Sequence, residues 1–124
     1  MNLGQTREYA ASMPIVDGSE LTLRQPLAGW LGRFFHSAHM TFAYYEIDAD
    51  AVPIREHQHP QEEVWNVIEG RLAIRVDGEE HVVGPGCAAI VPPNAPHSAR
   101  ALTRSRAIVV DHPVRDRVAG VSLR

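Results

Sequence analysis

Between Met40 and Asp111 short apolar runs alternate with turn residues, and the runs are brief and rich in Val, Ile, Phe and Tyr, as strands are. Arg71–Val76 reads R-L-A-I-R-V, which puts Leu72, Ile74 and Val76 on one face of a strand and Arg71, Ala73 and Arg75 on the other. Asp77-Gly78 follows it, a hairpin signal because glycine supplies the positive φ that a two-residue turn demands, and Glu79–Val83 returns as the partner strand. Met40–Ile47, Val64–Ile68, Cys87–Val91, His97–Leu102 and Arg106–Asp111 are further strand candidates, separated by Gly70, by Gly84-Pro85-Gly86 and by the P-P-N-A-P turn at Pro92–Pro96. Alternation in Met40–Ile47 is imperfect and leaves open which of its faces points inward. The spacing predicts an all-β sandwich or small barrel. The polar, irregular ends divide the chain into an arm (1–25), a barrel (26–113) and a tail (114–124), with no repeat and no second domain.

Composition narrows the function. A chain of 124 residues fits one core, so one site is expected. The net charge of -3 and the scattered arginines give no concentrated positive face, which argues against nucleic acid. Cys87 is the only cysteine, so no intrachain disulfide forms. No apolar run approaches the roughly 18 residues of a membrane helix, and Met1–Ala11 lacks an apolar signal-peptide centre. These features predict a cytoplasmic protein without a membrane partner.

The chemistry concentrates in R-E-H-Q-H-P-Q-E-E-V-W-N-V-I-E-G, Arg55–Gly70. In an extended chain His57 and His59 present two imidazoles to one side, half of a metal site. Pro60 lacks an amide hydrogen and lets the chain bend, after which a glutamate can return to the same centre. Alternation favours Glu63, which shares a face with Trp65 and Val67, over Glu62, read as a solvated carboxylate. His97, just after the P-P-N-A-P turn, is a candidate third imidazole. Three nitrogens and one oxygen leave open positions on a metal that prefers five or six ligands.

These residues resemble the two motifs of the cupin superfamily. The first motif is a glycine, five residues, H-x-H, three or four residues, a glutamate, six residues and a glycine; His57-Gln58-His59, Glu63 and Gly70 match it, with Ala51 in place of the opening glycine. The second is a glycine, five residues, P-x-G, two residues, a histidine, three residues and an asparagine. Gly86, Pro92-Pro93-Asn94 and His97 follow it, with Asn94 replacing the second glycine and Ala101 the final asparagine. Asparagine tolerates a left-handed turn better than most residues, so the change at Asn94 is mild. The resemblance covers Ala51–Ala101. It implies a double-stranded β-helix, or jelly-roll, barrel with His57, His59, Glu63 and His97 as metal ligands.

By the same resemblance the cofactor is a divalent transition metal, Fe(II) favoured, with Mn(II), Ni(II), Zn(II) or Cu(II) as alternatives. An Fe(II) dioxygenase-like enzyme acting on a small molecule leads; a non-redox isomerase, lyase or cyclase and a non-catalytic ligand-binding cupin are the alternatives. No catalytic residue is assigned beyond the metal. For substrate binding, Arg55 is placed to grip a carboxylate, or else is a surface arginine. Trp65 and Val67 wall the pocket or simply pack, and one of Tyr44 and Tyr45 points inward. His36, His39, His81 and His112 are read as non-ligands, and Cys87 as a small buried core residue. Edge strands and the resemblance together predict a homodimer, with the N-terminal arm available to a neighbour's sheet.

Overall fold

The computed structural model describes residues 15–123. Its strands are β1 (Leu23–Leu27), β2 (Trp30–His36), β3 (Thr41–Ile47), β4 (Ile54–His57), β5 (Glu62–Glu69), β6 (Leu72–Val76), β7 (Glu79–Val83), β8 (Ala88–Val91), β9 (His97–Ala101), β10 (Ser105–His112), β11 (Arg117–Val118) and β12 (Val121–Ser122). A six-stranded sheet runs β1-β2-β3-β10-β5-β8, and a four-stranded sheet runs β4-β9-β6-β7. All pairings are antiparallel, and the chain crosses repeatedly between the two sheets, which together make a jelly-roll barrel. The hairpin β11-β12 pairs with neither. Among the described residues no helix is long and apolar enough to cross a membrane.

Alternation sets the core. Trp30 and Phe34 of β2, Ala43, Tyr45 and Ile47 of β3, Trp65 and Val67 of β5 and Val109 of β10 are buried from the large sheet against Leu72, Ile74 and Ala99 of the small one. Trp30 meets Tyr45 and Trp65 edge to face, with ring centroids 5.4 and 6.1 Å apart. Tyr45 is therefore the inward tyrosine, and Tyr44 is exposed on the outer face. Ala73, expected to face outward, is buried as well: its methyl lies between its cross-strand partners Val82 and Arg100.

Turns behave as their residues dictate. Asp77 and Gly78 both have positive φ, 51° and 81°, as a type I′ hairpin requires. Gly70 has φ 77°, and a Cβ there would strike the Arg104 carbonyl and Ser105, so only glycine closes this strand. Asn94 adopts the left-handed conformation, φ 62°, at the position where the motif has glycine.

Three regions differ from the sequence reading. β1 and β2 are not foreseen by it, because Trp30–His36 carries apolar side chains on both faces and shows no alternation. Cys87 is exposed, since it sits in the turn ahead of β8 and not within it. The segment read as an irregular tail holds the β11-β12 hairpin and ends in a buried Leu123. Of the segment read as an arm, 1–14 lies outside the described residues.

Candidate metal centre

Two sheets meet at the site. On the small sheet His57 and His97 are direct cross-strand partners, and their ring centroids lie 4.3 Å apart. A bulge between Ile54 and His57 re-aims the end of β4 toward the interior. His59 lies beyond the strand, so the pair converges through a loop and not through the pleat; its ring centroid is 4.8 Å from that of His97. The loop is tied to the second motif by the Asn94 N–H, which donates to the His59 carbonyl at 2.8 Å.

Each imidazole is oriented by a backbone carbonyl two residues away. Nδ1 of His57 lies 2.9 Å from the Arg55 carbonyl, that of His59 3.2 Å from Gln61, and that of His97 2.9 Å from Ala95. A carbonyl only accepts, so Nδ1 carries the hydrogen and the Nε2 lone pair is left for an electrophile. Nε2 of His59 and of His97 are buried without a hydrogen-bond partner. The ligand atoms of His57, His59 and His97 all lie within 4.8 Å of one another. Orphaned lone pairs converging in this way fit a divalent metal ion.

The large sheet supplies acids. Thr41, Asp111, Glu63 and Val91 form one inward row across β3, β10, β5 and β8, all buried. Oε2 of Glu63 accepts the Trp65 indole N–H at 2.7 Å and lies 3.1 Å from Nε2 of His97. Its Oε1 lies 3.4 Å from Nε2 of His59 and accepts from Nη1 of Arg115 at 3.0 Å. Asp111 sits alongside, 3.6 Å from the same Arg115 nitrogen, and its ligand atom groups with those of His59 and Glu63.

Charge is shared unequally between the acids. Burial opposes ionisation of Glu63, but the polar groups packed around it, His59 and His97 ahead of Asp111 and the Arg115 guanidinium, outweigh it and hold Glu63 well below the usual carboxylate range. Asp111, desolvated and beside the Glu63 charge, is pushed up to about 9 and keeps its proton at neutral pH. Burial lowers His57; it also acts on His97, where the Glu63 carboxylate prevails and raises it. Tyr45 is raised by burial and by Glu63, so it stays a phenol.

A cavity of about 470 Å³ opens onto this cluster, with Trp30, Phe34, Tyr45, Trp65, Ile54 and Val109 among its walls. Arg55 lies at its exposed rim, and Tyr44 faces away from it. Glu62 is exposed, and His36, His39, His81 and His112 stand outside the cluster. Asp111 and Arg115 were missed. Asp111 shares the parity of Ala107 and Val109, so an acid at a core position was the available signal. Arg115 gave none, since it reaches the site only through the packing of the C-terminal segment.

The fold and its histidine cluster define a small jelly-roll protein with a candidate site for a divalent metal. The Cupin domain family matches residues 43–113, and the chain belongs to that family. An RmlC-like cupin from Shewanella frigidimarina NCIMB 400 superposes with a TM-score of 0.76 at 23% identity, covering 83% of this chain and 93% of that one. KdgF from Halomonas sp. gives 0.74 at 23% identity, over 81% and 93%. A single-residue mutant of the salicylate 1,2-dioxygenase from Pseudoaminobacter salicylatoxidans, in complex with gentisate, gives 0.63 at 17% identity, over 68% of this chain and 25% of that one. No curated protein matches the chain by sequence.

Proposed function

We propose that the protein is a metal-dependent enzyme acting on a small, largely apolar molecule, with Fe(II) dioxygenase-like chemistry as the leading reading. The observation that carries it is the convergence of three imidazoles, each set by an Nδ1–H bond to a carbonyl, with Glu63 beside His59 and His97, at an aromatic-walled cavity. A divalent ion held by His57, His59, His97 and Glu63 would supply Lewis acidity, and iron would add redox chemistry with dioxygen. The chain's own groups do the rest. Trp30, Phe34 and Trp65 exclude water from the reacting end, Trp65 fixes the Glu63 carboxylate, and Arg55 at the rim meets an anionic group of the substrate. A structural neighbour described as a dioxygenase in complex with gentisate supports small aromatic acids as first candidates.

The placement of Asp111 favours a second reading. A buried carboxyl that lines the cavity beside the candidate ligands suits proton transfer in a non-redox lyase or isomerase reaction. Metal analysis of untagged protein, followed by oxygen-uptake assays with small phenolic and chelating acids, separates the two. Stoichiometric iron with oxygen consumption supports the first; oxygen-independent turnover sustained by Zn(II) supports the second. A chain that takes up no divalent metal overturns both and leaves a ligand-binding module.

Self-association completes the reading. On the outer face of the large sheet Phe35, Phe42, Val110, Val64 and Ile90 form one apolar row across five strands. Leu31, Tyr44, Ile68 and Ile108 extend it on neighbouring rows. At about 4.8 Å per strand and about 7 Å per row, such a face presents roughly 500 Å² per copy, so a pair buries about 1,000 Å², the lower bound for a specific interface. The occupant we propose is a second copy, packed sheet on sheet. Sedimentation of wild type and of Phe42→Lys tests this: a dimer that the substitution dissociates supports it, and a monomeric wild type overturns it.

A further inference from the structure

We infer that Arg115 is a cationic spacer that keeps Asp111 off the metal, so that the centre is left with three imidazoles and one carboxylate. The inference rests on the metal-centre reading above and concerns a residue outside both motifs. Five potential ligands, and not four, lie at the site, in two groups that share His59: His57, His59 and His97, and His59, Glu63 and Asp111. Asp111 is 4% exposed, lines the cavity, and carries an Oδ1 with no hydrogen-bond partner. Its ligand atom lies within 4.8 Å of those of His59 and Glu63. By donor chemistry alone a divalent ion would recruit it, since hard carboxylate oxygens are good ligands for the same ions.

Arg115 stands in the way. Its Nη1 is 3.0 Å from Oε1 of Glu63 and 3.6 Å from Oδ2 of Asp111, so one guanidinium corner spans both carboxylates. A second cation held by both acids would have to approach that charge at close range in a desolvated site, where repulsion is weakly screened. Placement of the guanidinium is built into the fold. The Arg115 N–H donates to Oγ1 of Thr41 at 2.8 Å, and the Thr41 hydroxyl donates back to the Arg115 carbonyl at 3.2 Å. On either side the Val114 carbonyl accepts from Gln61 at 3.1 Å, and the Leu123 carbonyl lies 3.1 Å from Nε2 of His36. The C-terminal segment is thereby strapped across the barrel with its arginine aimed at the acids. The consequence is functional: a coordination position that Asp111 would fill stays free for substrate.

Cobalt(II) binding to purified full-length protein tests this, read by titration and by the visible d–d bands, which weaken as a further oxygen ligand joins. Arg115→Gln is expected to bind Co(II) at least about tenfold more tightly than wild type, with weaker bands, a change of the size that outer-sphere groups exert on metal affinity. Arg115→Gln/Asp111→Asn is expected to return to wild-type affinity and spectrum. Asp111→Asn alone is expected to match wild type in both, because Asp111 is not a ligand while Arg115 is present; this variant keeps the test decisive should Arg115→Gln fold poorly. Unchanged or weaker binding by a folded Arg115→Gln, tightening that persists in the double variant, or an altered spectrum in Asp111→Asn each overturns the inference alone. A wild-type protein that takes up no cobalt overturns the metal-centre reading, and the inference with it.

Discussion

The site has two halves of different construction. The imidazole half, on the small sheet and its adjoining loops, is organised by contacts two residues long: each ring is set by a nearby carbonyl. The acid half, on the large sheet, is organised over long distances: Glu63 faces Asp111 across β5 and β10, and Arg115 reaches Thr41 across 74 positions. The comparison teaches that neutral donors can be positioned by local geometry, whereas buried charge needs partners brought from elsewhere in the fold. On the proposed reading the first half offers a cation its neutral donors, and the second governs how much charge it meets there.

Substitutions can break this contrast in order of severity. His97→Ala removes a buried candidate ligand and is expected to lower metal affinity by more than about 100-fold while the fold persists, as metal analysis after dialysis will report. Leu123→Ala strikes the acid half from a distance: the side chain is 2% exposed, and its loss is expected to cost about 2 kcal/mol in urea unfolding and to loosen the strap that carries Arg115. Trp65→Phe deletes the indole donor to Oε2 of Glu63 and keeps most of the ring packing. It is expected to weaken metal binding roughly tenfold, an effect on the lower edge of what supporting hydrogen bonds contribute.

A last test concerns pH. In the metal-free protein Asp111 titrates at about 9, raised from an ordinary value of 3.8 by burial first and by Glu63 second. Between those values the folded chain holds a proton that the unfolded chain has released, so the contribution is fully present below pH 3.8 and is lost as pH rises toward about 9. The stability of wild type relative to Asp111→Asn, taken from urea titrations at several pH values, is expected to decline across that window and then level off. A difference independent of pH would show that Asp111 ionises normally.

How much was legible in the sequence follows the same division. That His57, His59 and His97 meet was legible from motif spacing and turn residues, and that Glu63 faces inward from alternation, while the strands from β5 to β10 were found within a residue or two because alternation and glycine turns mark them. β2 escaped because Leu31, Arg33 and Phe35 alternate with Trp30, Gly32 and Phe34, so neither face looks polar. The opening motif glycine proved dispensable: Ala51 stands there without a left-handed backbone, packed against Gly29. Arg115 was invisible for a physical reason, since nothing within its own neighbourhood specifies that a polar C-terminal residue will turn inward onto an acid 52 positions away.

The bond from the Asn94 amide to the His59 carbonyl makes the two ligand-bearing segments a single jaw that is already set when folding ends. Ordering of the imidazoles is therefore charged to the folding of the barrel, and an arriving ion meets a finished chelate with little conformational entropy left to remove. On the proposed metal-centre reading such a receptor discriminates weakly by shape change and takes the ion that its surroundings supply, so that metal availability would help to determine the chemistry.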